Sequence, residues 1–425
     1  MRQQRVVSLF LVSIVFQAAL AAASGFGLFQ HGGRGTGEAG AMTARGAEPS
    51  ALTYNPAAIT DLPGVQLQVG LDFSNANNHY DTTSGTYTAK HIIDFPGAVY
   101  VTWKSKATPL ALGFGVDAPY WYKVNWLEAN FPNRLLKRQF ELTLFEAHPV
   151  VAWDLGEGWS VGGGLRYDYG TLIQGDNRRV AFTLGGLPTT LVEVQRNAEA
   201  KVDGLSWDAA VHLGRSTWGW GLVYRGEMKL TGTDSVDYTP RDVAVPGLET
   251  LVRNALSSGR ARQEFEIPRE VRTGLWVAPY PELRLELDVA WQNWSSLKNT
   301  SVTYSPNALG DGPTVRTPRD WKGTLNVRLG FEGDITDSLV AYGGVSREPS
   351  PVPARNLLPD FPRGDAMVYA LGAGYNFPQI SFDLGFSFHQ HDTHRTAIAE
   401  PISPGSTGSY RANDKVWAFS VRRRF

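Results

Sequence analysis

The chain has no cysteine and only four methionines in 425 residues. Without cysteine there is no disulfide framework, so stability must come from elsewhere. Neither sign of charge dominates: 40 Lys plus Arg stand against 41 Asp plus Glu, a formal net charge of −1. That balance argues against nucleic acid or another polyanion as a partner. No G-x-S-x-G nucleophile motif occurs. Beyond residue 23 no apolar run is long enough for a membrane-spanning helix. The mature chain is therefore either soluble outside the cytoplasm or a closed β-barrel, because only helices and closed barrels satisfy their own backbone hydrogen bonds in lipid.

What is present begins with a leader. Arg2 and Arg5 precede an apolar run over 6–20, and Ala21, Ala22 and Ala23 supply a small-residue cleavage site. This pattern predicts a secretory signal peptide over 1–23, with the mature chain starting near Ser24 or Gly25. The rest is rich in Gly, Trp, Tyr and Phe, which favours β-structure.

Period-two alternation then recurs along the chain. In 65–73, Val65, Leu67, Val69, Leu71 and Phe73 share one face, and Gln66, Gln68, Gly70 and Asp72 the other. Segment 283–291 repeats this with Arg284, Glu286 and Asp288 on its polar face, and 110–116, 161–169, 207–213, 218–230 and 417–425 alternate likewise. The gaps alternate too. Short turns fall near 105–108, 156–158, 215–217, 279–281, 333–337 and 378–379, and long loops near 77–94, 119–138, 175–199, 234–261, 297–320, 348–364 and 394–413. Aromatic residues gather beside the short turns: Trp103, Trp153, Trp159, Trp218, Trp220, Trp276, Tyr280, Tyr375 and Phe377. Short turns on one side, long loops on the other and an aromatic girdle describe an outer-membrane barrel. The expected fold class is all-β, a transmembrane antiparallel barrel of about 14 strands over 63–425, with both ends in the periplasm. The chain ends on Phe425, as such barrels commonly do.

A barrel of about 14 strands has a lumen wider than its own side chains fill. Residues 24–62 precede the first strand, do not alternate and are rich in Gly and Ala. They are expected to fold back as a plug, because Phe26, Leu28, Phe29, Met42 and Leu52 would be costly left in water. Residues 35–40, GTGEAG, match G-x-G-x-x-G. A dinucleotide fingerprint needs a strand before the glycines and a helix after them in a βαβ unit. Here a signal-peptide junction precedes and an antiparallel barrel follows, so Gly35, Gly37 and Gly40 are read as packing glycines and no cofactor is expected.

Four stretches carry a family resemblance. The run SGFGLFQHGGRGTGEAGAMTARGAEPSALTYNPAAIT, with its Asn55-Pro56-Ala57 signature, resembles the N-terminal hatch of FadL-type outer-membrane transporters. APYWYKVNW is placed like the family's third extracellular loop. FEIPREVRTGLWVAPYPELRLELDVAWQNWSSL and GGVSREPSPVPARNLLPDFPRGD resemble its Pro-containing strand pair and a later loop, although Arg347 stands where the family usually has an acidic residue. The resemblance implies passive uptake of long-chain fatty acids or other hydrophobic compounds. Ligand is caught among extracellular loops, passes to a lumen pocket near the mature N-terminus, and leaves through a lateral opening at the third strand as the hatch shifts. Alkanes and monoaromatics such as toluene are also carried within the family. An outer membrane of a Gram-negative cell, contact with outer-membrane lipid and lipopolysaccharide, and a monomer are expected.

The residues assigned on this basis are specific. Gly25, Phe26, Asn55, Pro56, Ala57 and Arg166 are the expected lumen and hatch ligand site. Trp121, Tyr122, Trp126, Leu127 and Phe131 are the expected capture surface, because an exposed loop so rich in apolar side chains marks a binding surface; the other reading is that they pack the loop on its neighbour. Lys123, Arg134, Lys137 and Arg138 are available to a carboxylate or to lipopolysaccharide phosphates. Gly113, Phe114 and Gly115 mark the expected lateral opening, since glycines inside a strand often mark a bulge; equally, they make room for hatch side chains. Arg166, Arg284 and Arg328 are expected to face the lumen, paired with carboxylates such as Asp168, Glu286 or Asp288, or with a ligand head group. The histidines of 389–394 are read as exposed loop residues, no metal is expected, and an outer-membrane hydrolase or an open porin are the weaker alternatives. A fatty acid of about fourteen methylenes would gain on the order of 10 kcal/mol on burial, so passive release requires a second hatch position.

Overall fold

The computed structural model describes residues 30–126, 131–182, 190–241, 248–256, 259–305, 314–396 and 407–425. The expected signal peptide over 1–23 lies outside them, as do Gly25, Phe26 and Leu127.

Strand β1 (Gly64–Thr82) shows the rule that builds the molecule. Leu71 and Val69 are 52% and 48% exposed, whereas Gln66 and Gln68 on the opposite face are 1% exposed. A soluble sheet buries the first set and hydrates the second. The inversion repeats around the wall: Leu165 and Leu384 are exposed, and Arg166, Asp288 and Asp383 are buried. The apolar face therefore meets lipid, and the polar face lines a lumen.

Fourteen antiparallel strands make the wall. After β1 come β2 (Gly97–Lys104), β3 (Leu110–Asn125), β4 (Lys137–Gly156), β5 (Trp159–Phe182) and β6 (Thr190–Gly214). Strands β7 to β10 each run in two pieces: Trp218–Arg225 with Met228–Arg241, Gly259–Ile267 with Glu270–Tyr280, Leu283–Gln292 with Asn299–Tyr304, and Val315–Pro318 with Thr324–Asp334. Then β11 (Leu339–Glu348), β12 (Ala366–Asn376), β13 (Ile380–His391) and β14 (Ser409–Arg424) follow. β14 pairs with β1 from Gln66↔Arg424 to Asp81↔Ser409, which closes the barrel. The breaks in β7 to β10 sit at one height, because Arg225 pairs with Glu270, Glu270 with Gln292, and Gln292 with Thr324. Pro268, which has no N–H for the ladder, lies at one of them.

The expected short turns are present, and a two-residue turn joins β4 to β5. Gly156, Glu157 and Gly158 have φ of 87°, 48° and 73°, and a Cβ on Gly158 would run into the Gly214 carbonyl. Trp103, Trp153, Trp159, Trp218, Tyr280, Tyr375 and Phe377 stand exposed beside these turns. A second exposed set, including Tyr167, Trp207, Trp291, Tyr369 and Trp417, lies about eight residues further along, a vertical distance close to the ~25 Å apolar band of such barrels.

Two expected loops are corrected to strand. Much of 77–94 and most of 175–199 belong to the wall, for β5 and β6 have 24 and 25 residues. About 10 residues suffice to cross the membrane, so these strands stand well clear of it. Inside their upper part Val192, Val194, Val236, Tyr238, Val252 and Tyr304 form a separate apolar core.

Candidate functional site

Residues 30–62 lie inside the barrel, and nearly all up to Ile59 are buried. A short helix, Gly32–Gly37, packs on β12, β13 and β14, and a 3₁₀ turn, Pro56–Asp61, packs on β4, β5 and β6. Small residues allow this approach. A Cβ on Gly35 would collide with the Tyr54 hydroxyl, and one on Gly37 would stand 2.9 Å from Tyr342 Cβ. Tyr54 in turn accepts a hydrogen bond from the His31 backbone N–H at 2.9 Å. Burial lowers the His31 pKa from its usual value, which leaves the ring neutral at pH 7.

The wall holds this segment with charge. Asp288 Oδ2 accepts from the N–H groups of Met42 and Thr43, both at 3.0 Å, and from Thr43 Oγ1 at 2.6 Å. Glu286 accepts from Ala44 N and Arg45 Nε, both at 2.6 Å. Arg45 also pairs with Glu332 at 3.0 Å and with Glu38, and Arg34 pairs with Glu332 at 3.2 Å. Burial pushes the Glu38 carboxyl up to about 7, against the pull of Arg45. On the far side Thr53 donates to Asp117 at 2.7 Å and Arg422 donates to the Ala47 carbonyl at 2.7 Å. Sequence reasoning placed Glu286 and Asp288 in the lumen but assigned them to arginines; that they receive hatch N–H groups has no signal in the alternation alone.

The expected site residues fall into three groups. Asn55, Pro56 and Ala57 are joints of the plug. Asn55 Oδ1 caps the 3₁₀ turn by accepting from Ala57 N at 3.0 Å, and its amide donates to the carbonyls of Thr43 and Val211 at 2.9 and 3.2 Å. Arg166 faces the lumen as expected and is neutralised by a carboxylate, Glu146 at 2.7 Å. Gly113 and Gly115 pair regularly with Val150 and His148, so the ladder is unbroken there. A Cβ on Gly113 would stand 3.3 Å from Ile59, and one on Gly115 2.8 Å from Leu52. These glycines make room for the plug, while Phe114 points outward, 48% exposed.

The expected capture surface is corrected most. Residues 119–125 are strand, not an exposed loop, and Tyr122, Trp126 and Phe131 are buried. Trp126 stacks on Phe131 with ring centroids 4.7 Å apart, and Tyr122 stacks on Phe361 at 5.3 Å. With Phe140, Leu142, Leu144, Leu172, Val202, Leu230, Phe265 and Trp321 they make an apolar layer across the lumen. The physical reason is reach: the long strands carry these rings over the lumen, where they bury against each other. Among the described residues of this set Trp121 is the partly buried one, edge-on to Phe145 at 5.6 Å.

The break in the wall lies just above the glycines. β2 pairs with β3 only from Lys104↔Ala111 to Val99↔Val116. Beyond that, β3 takes an extra residue between Asp117 and Tyr120 against β4 and continues on β4 alone. Ile92–Asp94 pair only with β1. Residues 92–98 and 117–124 thus face each other with no ladder between them. A cavity of about 100 Å³ reaches this seam. One wall is aromatic, with Trp121, Tyr122, Trp321 and Phe361; another is polar, with His389, His391, Asp414 and Arg363. His389 and His391 belong to β13, which corrects their placement in a loop. The cavity's cations are already paired: Arg363 with Asp414 at 2.8 Å and Lys123 with Asp94. Gln30 stands next to it, accepting from Ser387, which contacts His389 at 3.1 Å.

Comparison with known proteins decides the family. The family model described as "Outer membrane protein transport protein (OMPP1/FadL/TodX)" matches residues 14–425. The chain belongs to this family. Its members are FadL- and TodX-type transport proteins of the outer membrane, not enzymes. Among solved structures, this FadL-type chain is similar to a Pseudomonas aeruginosa FadL homologue, with TM-score 0.81, 16% identity and coverage of 94% of this chain and 99% of that one. It is also similar to the Pseudomonas putida toluene transporter TodX, with TM-score 0.73, 14% identity and coverage of 94% and 99%. A third is the monoaromatic hydrocarbon channel CymD, with TM-score 0.70, 17% identity and coverage of 94% and 99%. At such identities these structures speak to the fold. No curated protein matches the chain.

Proposed function

We propose that this protein imports compact, uncharged hydrophobic compounds across the outer membrane of a Gram-negative cell by passive diffusion. The observation that carries the reading is the cavity, which joins an aromatic lumen wall to a stretch of barrel wall without ladder hydrogen bonds. Ligand enters through the apolar layer of Trp126, Phe131 and Phe140, rests in the cavity above Gln30, and leaves sideways into the membrane between 92–98 and 117–124. A shift of residues 30–62 opens and closes the pocket. The plug closes the lumen to polar solutes, which separates the protein from a general porin.

Two features favour neutral compounds such as monoaromatics over fatty acids. A carboxylate in the cavity would have to displace Asp414 from Arg363 or Asp94 from Lys123. The volume, about 100 Å³, is also nearer to the ~150 Å³ that holds one benzene than to the space a long chain needs. The same fold with a fatty-acid ligand is the second reading, supported by the likeness to a FadL homologue. Displacement of N-phenyl-1-naphthylamine from the purified protein separates them. Toluene is expected to compete and palmitate to compete weakly; stronger displacement by palmitate selects the fatty-acid reading. Rapid swelling of protein-containing liposomes in sugar solutions would instead select a porin.

A further inference from the structure

We propose that the ion pair between Lys123 and Asp94 is the latch of the lateral seam, and that it sets the rate at which ligand leaves. The inference deepens the transport reading and rests on it. The ladder of backbone hydrogen bonds that joins β2 to β3 stops at Val99↔Val116, and between 92–98 and 117–124 there is none. Three contacts cross there. At the base, Tyr100 on β2 donates its hydroxyl to Asp117 on β3 at 2.9 Å, and Asp117 is the same carboxylate that receives Thr53 of the plug. At the top, the Lys90 N–H donates to the Asn125 carbonyl at 2.7 Å. Between them Lys123 Nζ meets Asp94 Oδ1 at 2.5 Å.

The pair is suited to a reversible closure. Both side chains are mostly buried, at 21% and 14% exposed, so their attraction is less screened than that of a surface pair. Lys123 also stands 5.0 Å from the centre of the Trp121 ring, which fixes the ammonium over the seam. Asp94 and Lys123 both line the cavity, so a molecule leaving through the seam has to part them. An ion pair can open and reform without breaking a sheet ladder, whereas a continuous ladder would have to lose several hydrogen bonds together.

The test is stopped-flow transfer of N-phenyl-1-naphthylamine from loaded protein into lipid vesicles. Asp94→Asn and Lys123→Met are each expected to speed release roughly fivefold when compared at equal probe load. The exchanged pair, Asp94→Lys with Lys123→Asp, is expected to return the rate to near that of the native protein. Because the chain has no cysteine, Asp94→Cys with Lys123→Cys gives a second route. Oxidation of that variant should slow release, and reduction should restore it. Folded single variants that release at the native rate, or an exchanged pair that behaves like the singles, overturn the latch. Absence of saturable probe binding to the native protein overturns the transport reading beneath it, an outcome distinct from binding with an unchanged rate.

Discussion

Replacing Asp288 with Leu should release the plug while leaving the barrel closed. One carboxylate oxygen, Oδ2, accepts from two backbone N–H groups and one hydroxyl, at 3.0, 3.0 and 2.6 Å. All three donors lie in the plug, and the site is buried. A leucine leaves the N–H groups of Met42 and Thr43 without an acceptor, at about 1–3 kcal/mol each. Taking about 4 kcal/mol in total against the docked state, the population of undocked plug rises about a thousandfold. Strand β9 loses no ladder hydrogen bond, because only the side chain changes, so the closed wall persists. The assay has two parts. Heat-dependent mobility on gels reports the barrel, and single-channel conductance in planar bilayers reports the plug. The native protein should show rare openings, and the variant frequent or sustained ones, with the barrel equally resistant to heat. A variant with native conductance would refute the reasoning that these three bonds hold the plug.

Other consequences follow from the same interior. Burial raises the Glu38 pKa from 4.5 to about 7, so the docked plug binds this proton more tightly than the released one does. Docking is then strongest below about pH 4.5, weakens as pH rises towards 7 and levels off above it; conductance measured over that range should rise with pH, and Glu38→Gln should flatten the dependence. Gly115→Leu drives a side chain into Leu52 and Tyr100, and is expected to cost about 1–3 kcal/mol of plug docking, read as increased proteolysis of residues 30–62. Trp126→Ala removes the ring stacked on Phe131 and the indole donor to the Pro359 carbonyl at 2.8 Å. It should lower unfolding stability by about 3–5 kcal/mol and slow uptake, as measured by denaturant unfolding and probe transfer.

The wall was legible because lipid enforces a sharp contrast. Where a strand crosses the membrane, outward residues are apolar and inward ones polar, as with Leu165 beside Arg166, and the period-two pattern is plain. The upper halves of β5 and β6 escaped notice for the converse reason. Above the membrane their outer face meets water, so Arg179 and Glu199 stand outward and the contrast fades, while Val192 and Val194 turn in. The aromatic run from Trp121 to Phe131 misled in a related way. Its composition is the same whether the rings wait on a surface or close over a lumen, and only the length of the strands decides. Gly113 and Gly115 carry a local signal with two physical causes, and the contact with Leu52 and Ile59 selects the packing one. The seam itself, a few residues higher, arises from Pro119 and the unequal lengths of β2 and β3, a relation between strands that no single segment displays. The anchoring role of Asn55 likewise needs two partners, Thr43 and Val211, that sequence distance conceals.

The central claim is that a hydrophobic molecule leaves through the wall between β2 and β3 and not straight down past the plug. In a chain without cysteine, one placed at Ile92, which lines the cavity beside the seam, can be given a bulky maleimide. Cells carrying the labelled protein should take up radiolabelled toluene at least about tenfold more slowly, one factor of ten being ~1.4 kcal/mol on the barrier. The same label at Val65, on the lipid face beside the periplasmic turn, should leave uptake unchanged. Undiminished uptake with the seam blocked would contradict the account.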